Sequence, residues 1–370
     1  MGLKLINIVL PVSCVLLRQL HAMASDQMKY IHFEKGCEPD GLSVQTTPVP
    51  ALRSREVLVK VFATAINRAD ILQRRGMYPA PPGESDILGL EASGTVAARA
   101  DDCTSQWHIG DRVMALLAGG GYAEYVAVPE DVLMPVPSGM SLTTAAGIPE
   151  VWLTAYQLLH LVGDLQKGDT VLIHAGGSGV GTAATQLCVY AGCRPIVTAG
   201  SQSKLDTALS LGAVAAFNYK QEDFSEKVLE FTNGRGVDLI LDCIGASYYE
   251  QNMKSIKTEG RWVLYGLLGG GSISGDVLSQ ILRKRVRITG TTLRVRPLEY
   301  KKTLTQRFTQ DALPLFKADS SPQLTPIIDS VFPFHKAADA HTSMETNQNT
   351  GKIVLQIRHE DTGKTLHDEL

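Results

Sequence analysis

Residues Val171 to Gln186, VLIHAGGSGVGTAATQ, decide how the chain is built. Val171, Leu172 and Ile173 form an apolar run that reads as a buried parallel strand. A glycine-rich turn follows, Gly176-Gly177-Ser178-Gly179-Val180-Gly181, and a helix of small residues opens at Thr182-Ala183-Ala184. This order builds a dinucleotide site. Glycines let the backbone approach a pyrophosphate, and the helix N-terminus receives it with free N–H groups and a positive dipole end. The spacing is GxxGxG, not the commoner GxGxxG, and a glycine-rich turn alone would serve equally as a bare turn. The strand before it and the small-residue helix after it favour the nucleotide site.

The second strand of such a unit lies about 20 residues beyond the glycines. Here it is Pro195-Ile196-Val197-Thr198-Ala199. NAD sites commonly end this strand with Asp or Glu, which accepts a hydrogen bond from the ribose 2′-hydroxyl. This chain has Gly200-Ser201 instead, then Gln202, Ser203 and Lys204. A carboxylate would repel a 2′-phosphate, and its replacement by hydroxyls and an ammonium favours NADPH. The alternative is that Lys204 only begins the solvated face of the next helix.

A length of 370 residues allows two or three domains. Apolar content of 44% and charged content of 20% are those of a globular protein. A net charge of −3 supplies no bulk field for nucleic acid or an anionic membrane, so neither is expected as a partner. The basic run Arg283-Lys284-Arg285 with Arg287 reads as decoration of a strand end. The cysteines, at 14, 37, 103, 188, 193 and 243, form no CxxC and no disulfide framework.

The two ends carry address-like features. Lys4 precedes a mostly apolar run to Leu17, and Ala22-Met23-Ala24 fits a signal-peptidase site before Ser25. The run is too short for a membrane span. No acid occurs before Asp26, so a mitochondrial presequence is an alternative. The chain ends His367-Asp368-Glu369-Leu370, the ER-retention address. A start at Met23 or Met28 would leave a cytosolic protein, so ER lumen and cytoplasm both stay open.

From Met28 to about Val136, short strands alternate with Pro- and Gly-bearing turns, and 141–161 reads as helical with a break near Pro149. Strands at 171–174, 195–199, 214–217, 238–243, 261–266 and 286–290 then alternate with helices, as in a parallel sheet covered on both faces. Beyond Leu293 come a helix over about 298–316, a strand near Ile327, a helix over about 335–346 and a strand over 352–357. These last pieces have no sheet of their own and are expected to return to the first domain. The division is a leader at 1–24, a β-rich domain at 25–148, a dinucleotide domain at 149–290, the return at 291–358 and a polar tail at 359–370.

Together these features resemble the zinc-free quinone oxidoreductase branch of the medium-chain dehydrogenase/reductase superfamily. The residues that carry the resemblance are Asn67-Arg68-Ala69-Asp70, Gly89-Leu90-Glu91-Ala92-Ser93-Gly94, Gly110-Asp111-Arg112-Val113, the turn at 176–181, Asn218-Tyr219 and Gly351-Lys352-Ile353-Val354. It runs from about Met28 to Ile357 and leaves out both ends. It implies an α/β fold in which a GroES-like β-rich catalytic domain joins a Rossmann domain with a doubly wound parallel sheet. It also implies a homodimer, extended through the strand near Val286. Zinc members of the superfamily bind their metal through a Cys where this chain has Asn67 and a His where it has Leu90. Leu90 cannot ligate and Asn67 is a poor ligand, so no metal site is expected. Without a Lewis acid, reduction of a ready acceptor is favoured over oxidation of an alcohol.

By the same resemblance, NADPH lies between the domains. Ser178, Gly179, Val180 and Gly181 would cradle its pyrophosphate, and Ser201 and Lys204 would hold its 2′-phosphate. Tyr219 would pack by the adenosine, Cys243, Ile244, Gly266, Leu267 and Leu293 would line the groove, and Thr154 would approach the nicotinamide. Asn67 and Tyr78 are expected beside a quinone as hydrogen-bond donors to the oxygen where charge builds. Neither is a ready acid at neutral pH, and solvent can protonate a reduced quinone. Glu91 reads as structural, and Arg294 and Arg296 either rim the cleft or meet solvent. The expected activity is NADPH-dependent quinone reduction, with the one- or two-electron course left open. An NADPH-dependent enal or enone reductase is the nearer alternative, and a non-catalytic NADPH-binding or RNA-associated protein the more distant one.

Overall fold

The computed structural model describes residues 27–360 except 318 and 322, so the leader and the HDEL tail lie outside the described residues. The strands are β1 (Gln27–His32), β2 (Ser43–Pro48), β3 (Glu56–Ala65), β4 (Glu91–Arg99), β5 (Arg112–Leu116), β6 (Tyr125–Pro129), β7 (Leu133–Pro135), β8 (Thr170–Ile173), β9 (Arg194–Ala199), β10 (Ala215–Asn218), β11 (Val237–Asp242), β12 (Ile256–Leu264), β13 (Arg287–Gly290), β14 (Ile328–Pro333) and β15 (Lys352–Gln356). The α-helices are α1 (Arg68–Arg74), α2 (Leu142–Ala145), α3 (Pro149–Tyr156), α4 (Gly179–Tyr190), α5 (Gln202–Ser210), α6 (Phe224–Phe231), α7 (Tyr249–Ser255), α8 (Val277–Lys284), α9 (Leu298–Asp311) and α10 (Ala337–Glu345).

Two sheets organise the molecule. One runs β14-β15-β3-β4-β5-β7, with β6 also paired to β3. Its strand β15 comes from the far end of the chain and pairs antiparallel with β3, Val354 opposite Ala65. The other runs β10-β9-β8-β11-β12-β13, parallel throughout. Every residue of β8 and β11 is buried, as expected of central strands covered on both faces. The order reverses between β8 and β11, which opens a crevice at their C-terminal ends, where ligands bind in sheets of this kind.

The largest apolar core joins the sheets. Met114, Leu116 and Met134 of the first pack in one cluster with Val171, Ile173, Leu239 and Leu241 of the second, and α3 supplies Trp152 and Leu153 between them. A backbone bond from Gly351 N to Gly177 O (2.8 Å) ties the approach to β15 directly to the glycine-rich turn. The fold therefore brings three segments distant in sequence to one place: the Asn67 segment, the start of α3 and the turn before α4.

Candidate functional site

At the C-terminal end of β8, Ser178 caps α4, its Oγ accepting from Gly181 N at 3.0 Å. In this first turn the amide of Val180 has no acceptor among the described residues, and that of Gly179 faces the Gly351 carbonyl through the bridge between Ser178 and Gly351; a free amide at a helix start is the pattern that receives an anion. Gly181 is required by contact: a Cβ there would lie 2.5 Å from Ala175 O and 2.6 Å from Gly176 Cα. The cradle therefore fits a pyrophosphate, and Ser178, Gly179, Val180 and Gly181 come together as the sequence leads one to expect.

The end expected to hold the 2′-phosphate is built differently in one respect. Ser201 starts α5 without using its hydroxyl as a cap, and Tyr219 is 42% exposed with its hydroxyl over Gly200. Lys204, however, lies back across the phosphate turn. Its stem covers Gly177 and its ammonium donates to Asn347 O at 2.6 Å. The cation beside Gly200 is Lys220, whose Cε would lie 3.0 Å from a Cβ there. Sequence reading missed Lys220, although the pairing of Asn218 with Ala199 sets residues 219 and 220 beside Gly200.

Along the groove, Cys243 and Ile244 leave the end of β11 and Gly266 follows β12. A Cβ on Gly266 would sit 3.0 Å from Cys243 O, so glycine permits the two strand ends to touch. Burial pushes the Cys243 thiol up to about 12, so it is an uncharged wall. Leu267 is exposed at 55%. Leu293 is almost fully buried and belongs to the main core with Leu304 and Phe308. Thr154 lies on α3, almost fully buried.

The polar end of the cleft centres on Glu91, which is fully buried at the start of β4. Its Oε1 accepts from Asn67 Nδ2 (2.9 Å) and pairs with Lys352 Nζ (2.9 Å), while its Oε2 accepts from Glu150 N (2.9 Å) in the first turn of α3. Lys352 also donates to Ile66 O (2.8 Å) and Asn67 Oδ1 (2.7 Å), which uses all three of its hydrogens. Asn67 gives its second amide hydrogen to Ala65 O at 3.2 Å. Both Asn67 N–H groups are thus committed, and the expectation that Asn67 donates to an acceptor is corrected: it is a fixed strut between Glu91 and Lys352. Glu91 is structural, as its tight turn suggests.

Asp70 accepts from Asn67 N (2.8 Å) and Gly89 N (3.0 Å). Burial pushes its carboxyl up to about 6 against those bonds. Tyr78 lies in the loop after α1, beside Arg294. Its carbonyl, not its hydroxyl, accepts from Arg294 Nη1 (3.4 Å), and the Arg294 guanidinium lies 5.4 Å from its ring centre. The hydroxyl has no protein partner among the described residues, and burial pushes the phenol up, opposed by Arg294 and reinforced by Glu150. Arg294 does not meet solvent: it is 3% exposed and clasps Gln73 Oε1 and Ala118 O, each at 2.7 Å. Among the described residues no three His, Cys, Asp or Glu side chains are grouped to hold a metal.

Residues 53–138 match the model of the alcohol dehydrogenase GroES-like domain, and residues 179–310 that of zinc-binding dehydrogenases. A probable quinone oxidoreductase of Schizosaccharomyces pombe is 30% identical over 322 residues, 85% of this chain and 92% of the relative. A phenolphthiocerol/phthiocerol polyketide synthase subunit of Mycobacterium tuberculosis is 29% identical over 86% of this chain, which spans only 14% of that relative's length. Among solved structures, an NAD-dependent alcohol dehydrogenase is similar at a TM-score of 0.78 and 30% identity, covering 89% of this chain and 99% of its own. A mycobacterial protein complexed with NADPH is similar at 0.77 and 29%, covering 89% and 100%.

Proposed function

The chain belongs to the medium-chain dehydrogenase/reductase superfamily, in its quinone oxidoreductase branch, and on that premise we propose that it is an NADPH:quinone reductase working without zinc. The observation that carries the reading is the juxtaposition of an open dinucleotide turn with a polar cleft end. The amide of Val180 is free to meet an anion, and Lys352, whose stem lies 2.7 Å from where a Gly179 Cβ would be, joins that turn to Asn67 and Glu91. When bound, the nicotinamide supplies a hydride. The residues of this chain do the rest: Gly179 and Val180 hold the pyrophosphate, and Ser201, Tyr219 and Lys220 hold the far end, where the strand closes on Gly200 and not on a carboxylate. The Tyr78 hydroxyl donates to the acceptor oxygen as negative charge builds there.

The test is oxidation of NADPH by the purified protein, offered an ortho-quinone and a 2-alkenal in parallel, with NADH as control. Quinone-dependent turnover that prefers NADPH is expected. Turnover with the alkenal alone would make it a double-bond reductase. Tight NADPH binding with no acceptor reduced would make it a non-catalytic binding protein.

A further inference from the structure

We propose that Glu150 is the proton donor of this reaction, its carboxyl protonating the acceptor oxygen as hydride arrives. The inference rests on the reductase reading above and adds a residue that neither the motifs nor the resemblance singles out.

Position comes first. Glu150 is in the opening turn of α3, held there by its own N–H on Glu91 Oε2. Its neighbour Val151 abuts the dinucleotide turn, with Cγ1 2.9 Å from where a Gly179 Cβ would be. On its other side the charge of Glu150 reaches Tyr78 and Arg294. Glu150 thus stands between the cofactor turn and the Tyr78 loop. Thr154 is one helical turn further along the same face.

Charge comes second. Two carboxyls, Glu91 and Glu150, meet here, and Lys352 pairs with the first of them. Lys352 gives its three hydrogens to Ile66, Asn67 and Glu91, and none to Glu150. Glu150 Oε2 is buried and has no hydrogen-bond partner among the described residues. Glu150 is half-buried, with Oε2 shut away from water and unpaired, which disfavours the charged form. Arg294 also faces it and favours the ionised form. Burial pushes the Glu150 carboxyl up to about 8, Glu91 and Asp70 add to the rise, and Lys352 and Lys301 oppose it. A helix N-terminus favours the ionised form, but its effect of about 0.3–1 kcal/mol is too small to reverse burial. The result is a carboxyl that favours its protonated form at pH 7, within charge reach of Tyr78.

The step balances. The acceptor, a quinone or a carbonyl conjugated to an alkene, takes a hydride, which is one proton and two electrons, and gains charge on oxygen. The Glu150 O–H bond breaks and an O–H bond forms on the product. Glu150 is left as a carboxylate and regains its proton from water.

Glu150→Gln keeps shape and neutrality but carries no acidic proton. In the wild type, kcat should be level below pH 8 and fall above it. In the variant, kcat should drop on the order of 100-fold with KM nearly unchanged, and the alkaline limb should vanish. A readout independent of turnover is the infrared absorption of a protonated carboxyl in the cofactor-free protein, present at pH 6.5, lost above about pH 8 and absent from the variant. Stability gives a second one. The folded state holds this proton to about pH 8 and the unfolded chain releases it near the ordinary 4.5, so wild-type stability should fall as pH rises between them, more than that of Glu150→Gln. A variant that keeps the infrared band, or keeps normal kcat and its limb, overturns the proposal. Lower stability or higher KM with the limb intact reduces Glu150 to a structural part and also overturns it. If no acceptor is reduced at all, the reductase reading falls and this proton route with it, whatever the infrared band shows.

Discussion

Lys352 is where the two carboxylate-lined segments depend on a single side chain. It is 3% exposed, and its ammonium is the counter-ion of a Glu91 that is wholly buried. A buried pair of this kind adds little over a well-packed apolar pair, but removing one partner leaves a charge stranded. Lys352→Met should therefore cost about 3–5 kcal/mol in urea unfolding. Adding Glu91→Gln to it should recover part of that loss, because the stranded charge is gone. A single-variant loss below ~1 kcal/mol would mean that water reaches Glu91 and that the pair is not the keystone described here. The same pairing explains why the role of Asn67 could not be read from the chain. Its partners Glu91 and Lys352 lie 24 and 285 residues away, and only folding shows that they use up its amide.

At the scale of the element, the first turn of α4 carries the binding argument. The cradle works because Gly181 has no Cβ where Ala175 O and Gly176 Cα approach to 2.5 and 2.6 Å. These neighbours are backbone and cannot step aside. At Gly179 the nearest atoms are the flexible Lys352 stem and Val151 Cγ1, at 2.7 and 2.9 Å. Gly181→Ala should thus weaken NADPH binding at least tenfold in a calorimetric titration, while Gly179→Ala loses less. The reverse order would mean that the pyrophosphate sits on a different part of the turn. This element was legible because its signal is local: an apolar strand, a glycine turn and small helical residues in one stretch of sequence. The strand pattern of the second sheet was legible for a related reason, since central parallel strands are apolar throughout. Lys204, Lys220 and Glu150 were not, since whether a long polar side chain bends toward one neighbour or another is settled by tertiary contacts that leave no periodic trace.

For the whole molecule, the open question is what covers the edge at β13. All four of its residues are exposed, and β12 pairs it on one side only. Beside it, α8 presents Leu278 at 81% and Leu282 at 76% exposure, one turn apart on one face, and Ile288 and Val295 add 40% and 59%. An unprotected edge next to an apolar patch is a liability in a monomer. Pairing of β13 with its two-fold mate removes both exposures at once, since the same surface is contributed by each copy. We expect sedimentation equilibrium at micromolar concentration to give a dimer. The double substitution Leu278→Asp and Leu282→Asp should give a monomer that still binds NADPH, because the cofactor turn lies at the other side of β11, beside β8. A monomeric wild type would leave the edge uncovered by a second copy. A double variant that stays dimeric would place the interface away from α8.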